Sequence, residues 1–270
     1  MSKISTTTPT VPFYATYPPT THPTLSKMLA GYVTLQQRRD VKFARSLAGT
    51  PTRVFVERAT MNIYEYWLAL REEIEWVAEM LGNFDGYNAL TCVADKAALF
   101  SNFWILFTIL ERSCDTVRVL GVQASEDDRR MVFEHGIIAD VLHCEYDMSE
   151  VSTMRVGDMG PLCYPWFKHA ARELLLPIRR LAPTEVEIMF ALGLMFWRLP
   201  VDVQAQVNGE CARLAEGMVR VLYAELDAYY AAEMPLVNRV ERVAELVGMI
   251  AITEVEDGSR HNTLTQLQLK

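Results

Sequence analysis

The sequence predicts an all-α fold, a three-layer antiparallel helical sandwich carrying one small β-hairpin. Three observations carry this. Residues 98–110, within DKAALFSNFWILFTILERSCDT, and residues 185–197, EVEIMFALGLMFW, are apolar nearly all the way round. A helix tolerates that only when covered on almost every side. Ile63, Trp67, Leu70, Ile74, Val77 and Leu81 recur at spacings of 4, 3, 4, 3 and 4 residues, the single stripe of an amphipathic helix with a wet outer side. Pro165, Pro177, Pro183 and Pro200 then punctuate the second half into helices. Enclosed helices with amphipathic ones before, between and after them require a middle layer and two outer ones.

In chain order, residues 1–23 are rich in Thr and Pro (STTTPTVPFYATYPPTTHPT) and read as a tether or hinge. Residues 24–270 form the folded domain. Its first helix carries Leu25, Met28, Leu29, Tyr32 and Leu35 at helical spacing. In the helix spanning Ile63 to Leu81, Glu72, Glu73, Glu75 and Glu79 fall away from the stripe. LGNFDGYN ends it, and Asp95 opens the apolar helix, in which only Ser101, Asn102 and Thr108 interrupt the run. That run is shorter than the ~20 residues of a membrane span and is flanked by charges, so no membrane segment is expected. VRVLGVQASEDDRRMVFEHGIIADV places β-branched runs around a charged turn and predicts the hairpin. Thr184 is positioned to cap the second enclosed helix. The last long helix runs from about Leu236 to Glu254 and carries Val240, Val243, Ala244, Val247 and Ile250.

Composition excludes several function classes. A net charge of −8, with 26 basic residues scattered among 34 acidic ones, is opposite to what phosphate binding needs, so no direct nucleic-acid contact is expected. Cys92, Cys114, Cys144, Cys163 and Cys211 are odd in number and contain no CxxC pair, which argues against a zinc module and a disulfide framework and for a reducing compartment. The N-terminus has no apolar secretion core. HCEYD, residues 143–147, holds ligand-type side chains without a second pair, and reads as a solvated turn with no metal. Cys92 and Cys163 have no discernible partner His and read as packing residues. No glycine-rich phosphate loop, GxSxG or HExxH is present, so neither an enzyme nor a cofactor is expected.

EWVAEML, Phe84 and DKAALFSNFWILFTILER together resemble the helix 3 to helix 5 signature of nuclear-receptor ligand-binding domains, with Trp76 opening it, Asp95 and Lys96 where the family has Asp-Gln or Asp-Lys, and Trp104 nine residues after the acid. LSKMLAGYVTLQQRR and NFWILFTILER are similar to the first and fifth helices of the expanded nematode receptors. LLLPIRRLAPTEVEIMFALGLMFW resembles the family's helices 7 and 8, with Glu187 at the usual helix 8 acid. The resemblance covers roughly residues 24–255. It implies about 10–12 helices and a cavity for a small lipophilic ligand near Tyr66, Ala69, Trp104, Phe107, Thr108 and Arg112, although Trp104 and Phe107 equally suit a filled cavity. It further implies a coregulator groove at Val77, Ala78, Lys96 and Leu99, and a homo- or heterodimer contact with another receptor through Val240, Val243 and Val247.

Departures shape the expected function. About five extra residues separate Trp76 from Asp95 relative to the family pattern. The family's clamp lysine falls on Ala78, its helix 5 arginine on Asp115, and the tail GSRHNTLTQLQLK lacks the activation-helix acid. A carboxylate ligand would meet repulsion at Asp115, so a neutral lipophile, or none, is expected. The reading is a ligand-binding and dimerisation domain of a nuclear-hormone-receptor-type transcription regulator, without its zinc-finger DNA-binding domain in this chain, acting in the nucleus and also compatible with the cytoplasm. The alternative is a ligand-independent interaction module with a filled pocket that acts through a receptor partner.

Overall fold

Helical phase and capping chemistry divide the chain into eight α-helices among the residues described by this computed structural model, which are 21–47, 50–53, 55–121, 130–133, 136–140, 143–150 and 171–268. The helices are α1 (Pro23–Phe43), α2 (Ile63–Leu81), α3 (Val93–Leu120), α4 (Leu176–Leu181), α5 (Glu185–Trp197), α6 (Val201–Gln204), α7 (Gly209–Glu233) and α8 (Arg239–Gln268). Seven short strands accompany them: β1 (Ala44–Leu47), β2 (Thr50–Arg53), β3 (Val56–Glu57), β4 (Thr60–Asn62), β5 (Arg130–Phe133), β6 (Ile137–Asp140) and β7 (Glu145–Asp147). Residues 1–20 of the tether, Cys163 and Pro165 lie outside the described residues, as do the side chains beyond Thr253.

Each helix start has a chemical reason. Pro23 opens α1, where its fixed φ and missing N–H cost nothing. The next two amides, of Thr24 and Leu25, donate to the Glu225 carboxylate of α7 at 3.0 and 2.9 Å. Asn62 caps α2 by accepting from the Glu65 amide. Thr184 caps α5 in a full capping box with Glu187. Asn208 caps α7 through the amides of Glu210 and Cys211, and the Asn208 backbone N–H donates to buried Asp95 on α3 at 3.1 Å. One carboxylate thereby ties the start of α7 to the start of α3.

α5 is buried along its whole length and packs against α1, α3, α7 and α8. With α3 it forms the middle layer. α1 and α2 pack on one side, while α4 and α8 pack together on the other. Phe84, Phe103 and Phe196 meet edge to face at 5.3–6.1 Å and lock the end of α2 to α3 and α5. Each such edge-to-face pair contributes about 0.5–1.5 kcal/mol beyond the buried area. Gly86, at φ +86, lets the chain turn under Trp197; a Cβ there would lie 3.3 Å from the Trp197 and Met218 side chains. By length and composition α3 could cross a membrane; here it crosses the middle of the domain, buried at every position from Ile109 to Val117.

The hairpin forms between β5 and β6, antiparallel with Met131 opposite Ala139. It is larger than expected, because β3 adds to β6 in parallel. A β1–β2 pair and a parallel β4–β7 pair also form, so HCEYD is not simply a solvated turn: Glu145–Asp147 is a strand, and Tyr146 is buried. The eight described helices fall short of the expected 10–12 partly because one uninterrupted α3 runs from Val93 to Leu120. The last helix, expected to stop near Glu254, continues in backbone to Gln268.

The phase of α2 is also corrected. Its buried face is Ile63, Ala69, Glu73, Val77, Met80 and Leu81, whereas Trp67 is 66% exposed and Ile74 38%. The apolar stripe read from sequence was therefore a mixture of two faces. Glu73, expected outside, stands in the centre of the inner one.

Candidate functional site

The centre of the domain holds six buried or nearly buried charges contributed by α1, α2 and α3. Arg39 and Glu111 have fully buried side chains, and Glu73 and Asp115 are almost as enclosed. The Arg39 guanidinium donates to Glu73 through Nε at 2.9 Å and Nη2 at 3.1 Å, and its Nη1 reaches Glu111. Arg112 donates to the second Glu73 oxygen at 2.7 Å, and Arg118 donates to Asp115 at 2.6 Å. Gln36 and Tyr32 donate to Glu111 at 2.9 and 3.3 Å. Three cations face three anions, so the cluster is neutral in sum. Burial pushes the Glu73 carboxyl up, but Arg112 and Arg39 outweigh it and hold it below its ordinary value. Glu111 follows the same balance, with Arg39 dominant among its cations.

This arrangement consumes the polar groups nearest the expected ligand site. Arg112 points inward, and its guanidinium is held by Glu73. Asp115 is held by Arg118 and lies 4.0 Å from Arg39. The Phe84–Phe103 contact and the Glu73–Arg112 pair show that α2 and α3 run antiparallel. Tyr66 and Ala69 therefore lie beyond the charged cluster, towards the C-terminal end of α3, while Trp104, Phe107 and Thr108 lie on its other side. Tyr66 is half-buried and meets Phe133 edge to face at 6.3 Å; Ala69 is buried. Trp104 stacks between Phe100 and Phe107 at 6.1 and 6.3 Å. The Thr108 hydroxyl donates to its own helix, at the Ile105 carbonyl.

At the expected coregulator groove, Val77 and Leu99 are buried in the core. Ala78 and Lys96 are half-buried, and the Lys96 ammonium sits 5.0 Å above the Tyr87 ring. Trp76 carries Lys42 over its ring in the same way, at 5.3 Å.

On α8, Leu246, Met249 and Ile250 anchor the helix to the core, Val243 and Val247 are half-covered, and Val240 is 82% exposed. Arg242 fixes this helix by reaching Glu187 at 2.6 and 2.9 Å and the Leu181 carbonyl at 2.8 Å. That supplies the basic partner which a buried helix 8 acid requires. It also clamps the turn at Ala182, a non-glycine residue at φ 44. Cys92, Cys114, Cys144 and Cys211 are free thiols, and burial pushes Cys114 up to about 12, far from nucleophilic range.

Sequence reasoning missed Arg39, Glu73 and Glu111. A signal existed. Arg39 continues the Leu25 to Leu35 phase of α1, Glu73 lies midway between Ala69 and Val77, and Glu111 follows Phe107 by four residues. Charges in phase with a buried face must meet one another.

Residues 55–266 match the family model described as the ligand-binding domain of nuclear hormone receptor. No curated protein matches the chain.

Proposed function

The chain belongs to the nuclear hormone receptor ligand-binding domain family, and from that premise we propose that it serves a transcription regulator in the nucleus, pairing with another receptor through α8 and responding to a neutral lipophile, with no catalytic role. The observation that carries the ligand class is the closed charge cluster. Arg112 and Asp115, the groups that would greet a polar head, are each held by an opposite charge, so an entering carboxylate would have to break a buried pair. Dimerisation rests on Val240, Val243 and Val247, which leave apolar surface beyond what anchors the helix.

Two experiments test this reading. Val243→Glu, with exposed Val240→Glu as a second variant, is expected to yield a folded monomer by light scattering where the wild type is a dimer; a wild type that is monomeric at micromolar concentration counts against it. Fused to a heterologous DNA-binding domain, the chain is expected to drive little transcription alone and to bind an LxxLL peptide weakly. Ala78 provides no cation to cap the C-terminus of such a helix. Sub-micromolar, ligand-enhanced peptide affinity would overturn that.

A second reading, a ligand-independent module with a filled centre, is favoured by the Phe100–Trp104–Phe107 stack together with the charge cluster. Native mass spectrometry separates the two, since only the first expects a co-purifying lipophile.

A further inference from the structure

Two of the free thiols stand where the chain brings two helix starts together. Cys92 is the cap residue of α3, and Asp95 lies three positions on; Asn208 is the cap residue of α7, and Cys211 lies three positions on. On a helix such pairs share a face. Asp95 joins the two starts, accepting from the Asn208 backbone N–H at 3.1 Å and from the Asn208 side-chain amide, while the Asn208 side-chain oxygen accepts from the Cys211 amide at 2.9 Å. The two thiols therefore flank one hydrogen-bonded tie. Cys211 is buried, and burial, followed by the neighbouring Asp95 and Cys92, pushes its thiol up to about 11. Cys92 is half-buried, within reach of a small solute, and its sulfur makes no capping hydrogen bond. The other two described thiols keep different company: Arg118, Glu111 and Asp115 stand beside Cys114, and Asp140 and Glu145 beside Cys144.

We propose that Cys92 and Cys211 form an oxidative modification site, at which a peroxide converts the two thiols into a disulfide that staples the start of α3 to the start of α7. The accessible Cys92 sulfur attacks one peroxide oxygen; the O–O bond breaks, water leaves and Cys92 becomes a sulfenic acid. The Cys211 sulfur then attacks the Cys92 sulfur, the S–O bond breaks, and the departing hydroxide takes the Cys211 thiol proton as a second water. The peroxide is reduced by two electrons, which the two thiols supply. A buried thiol such as Cys211 is a poor first target, and serves as the resolving partner because the only atom it has to reach is the neighbouring sulfur. Two molecules of a reducing thiol reverse the bridge by exchange, so in a reducing compartment the disulfide is transient, the form in which such bonds act as redox sensors. The bridge closes a loop of on the order of 100 residues, and long loops are those whose closure restrains the unfolded chain most.

The test treats the reduced full chain with hydrogen peroxide under native conditions and reads its intact mass, its tryptic fragments without reductant, and its thermal midpoint. Expected are the loss of two hydrogens and a disulfide joining fragment 72–96 to fragment 199–213. The midpoint should rise by at least ~5 °C and return to its starting value with dithiothreitol. Cys92→Ser should abolish the bridge. Cys211→Ala should leave Cys92 as a sulfenic acid that dimedone traps with a gain in mass. Thiols that stay reduced, a bridge from Cys92 to Cys163 or to a second copy, or a bridged chain whose midpoint is unchanged or lower overturns the proposal. So does a bridge that forms as readily in urea, which would show that the fold does nothing to bring the two sulfurs together.

Discussion

Replacing Arg39 with Met is expected to lower the free energy of unfolding by about 3–5 kcal/mol, because it removes one partner of a buried pair and leaves the opposing charges behind. That is a large part of the roughly 5–15 kcal/mol a domain possesses. Met retains much of the arginine's volume, so the loss reports charge more than packing. Adding Glu111→Gln should recover part of it by neutralising the bereaved carboxylate; urea denaturation of the single and double variants measures both. The network also sets an acid limit. Glu73 and Glu111 have folded-state values below the ordinary 4.5. Their stabilisation is therefore complete above that value and lost as pH falls towards the folded ones.

Glu185 is expected to act in the opposite direction. It is buried at the first turn of α5, its Oε2 has no hydrogen-bond partner, and burial pushes its carboxyl up to about 7 against the pull of Arg118. While protonated, the Glu185 carboxyl carries no buried charge and so no cost of ionisation. Stability should fall as pH climbs from about 4.5 to about 7 and then level off. Glu185→Gln mimics the protonated form, so it should leave stability unchanged near pH 4 and raise it near pH 8, by on the order of 3 kcal/mol. Thermal unfolding across that range would show the gap opening. A gap that is constant with pH would mean that packing, not ionisation, separates the two side chains.

The fold was legible wherever apolar phase and capping agree. Ile63 to Leu81 is helical over the expected span, Thr184 caps α5 as expected, and the hairpin forms within VRVLGVQASEDDRRMVFEHGIIADV. What was not legible follows from two ambiguities. A period of 3.6 leaves two overlapping apolar faces on α2, and hydrophobicity alone chose the one containing Trp67 and Ile74. The true face contains Glu73, whose burial is stabilised only by Arg39 and Arg112, distant in sequence. The same holds for α3, where the fully enclosed stretch is not the apolar run but Ile109 to Val117, including Glu111, Arg112 and Asp115. The short strands at Ala44–Leu47 and Thr60–Asn62 depend on partners elsewhere in the chain or on a tight return, and periodicity carries no information about pairing.

The contact that starts α1 has a consequence for how the chain must be made. Its second and third residues spend their amides on Glu225, 201 and 200 positions later. During synthesis at about 5–20 residues per second, the first helix thus waits roughly 10–40 seconds for the carboxylate that completes its end. For most of that interval the apolar side of α1 has neither α5 nor α7 to cover it. Closing so distant a contact carries the loop entropy that slows folding. The domain is thus one that finishes folding only after nearly all of it has left the ribosome, and its earliest helix is among the last to be secured.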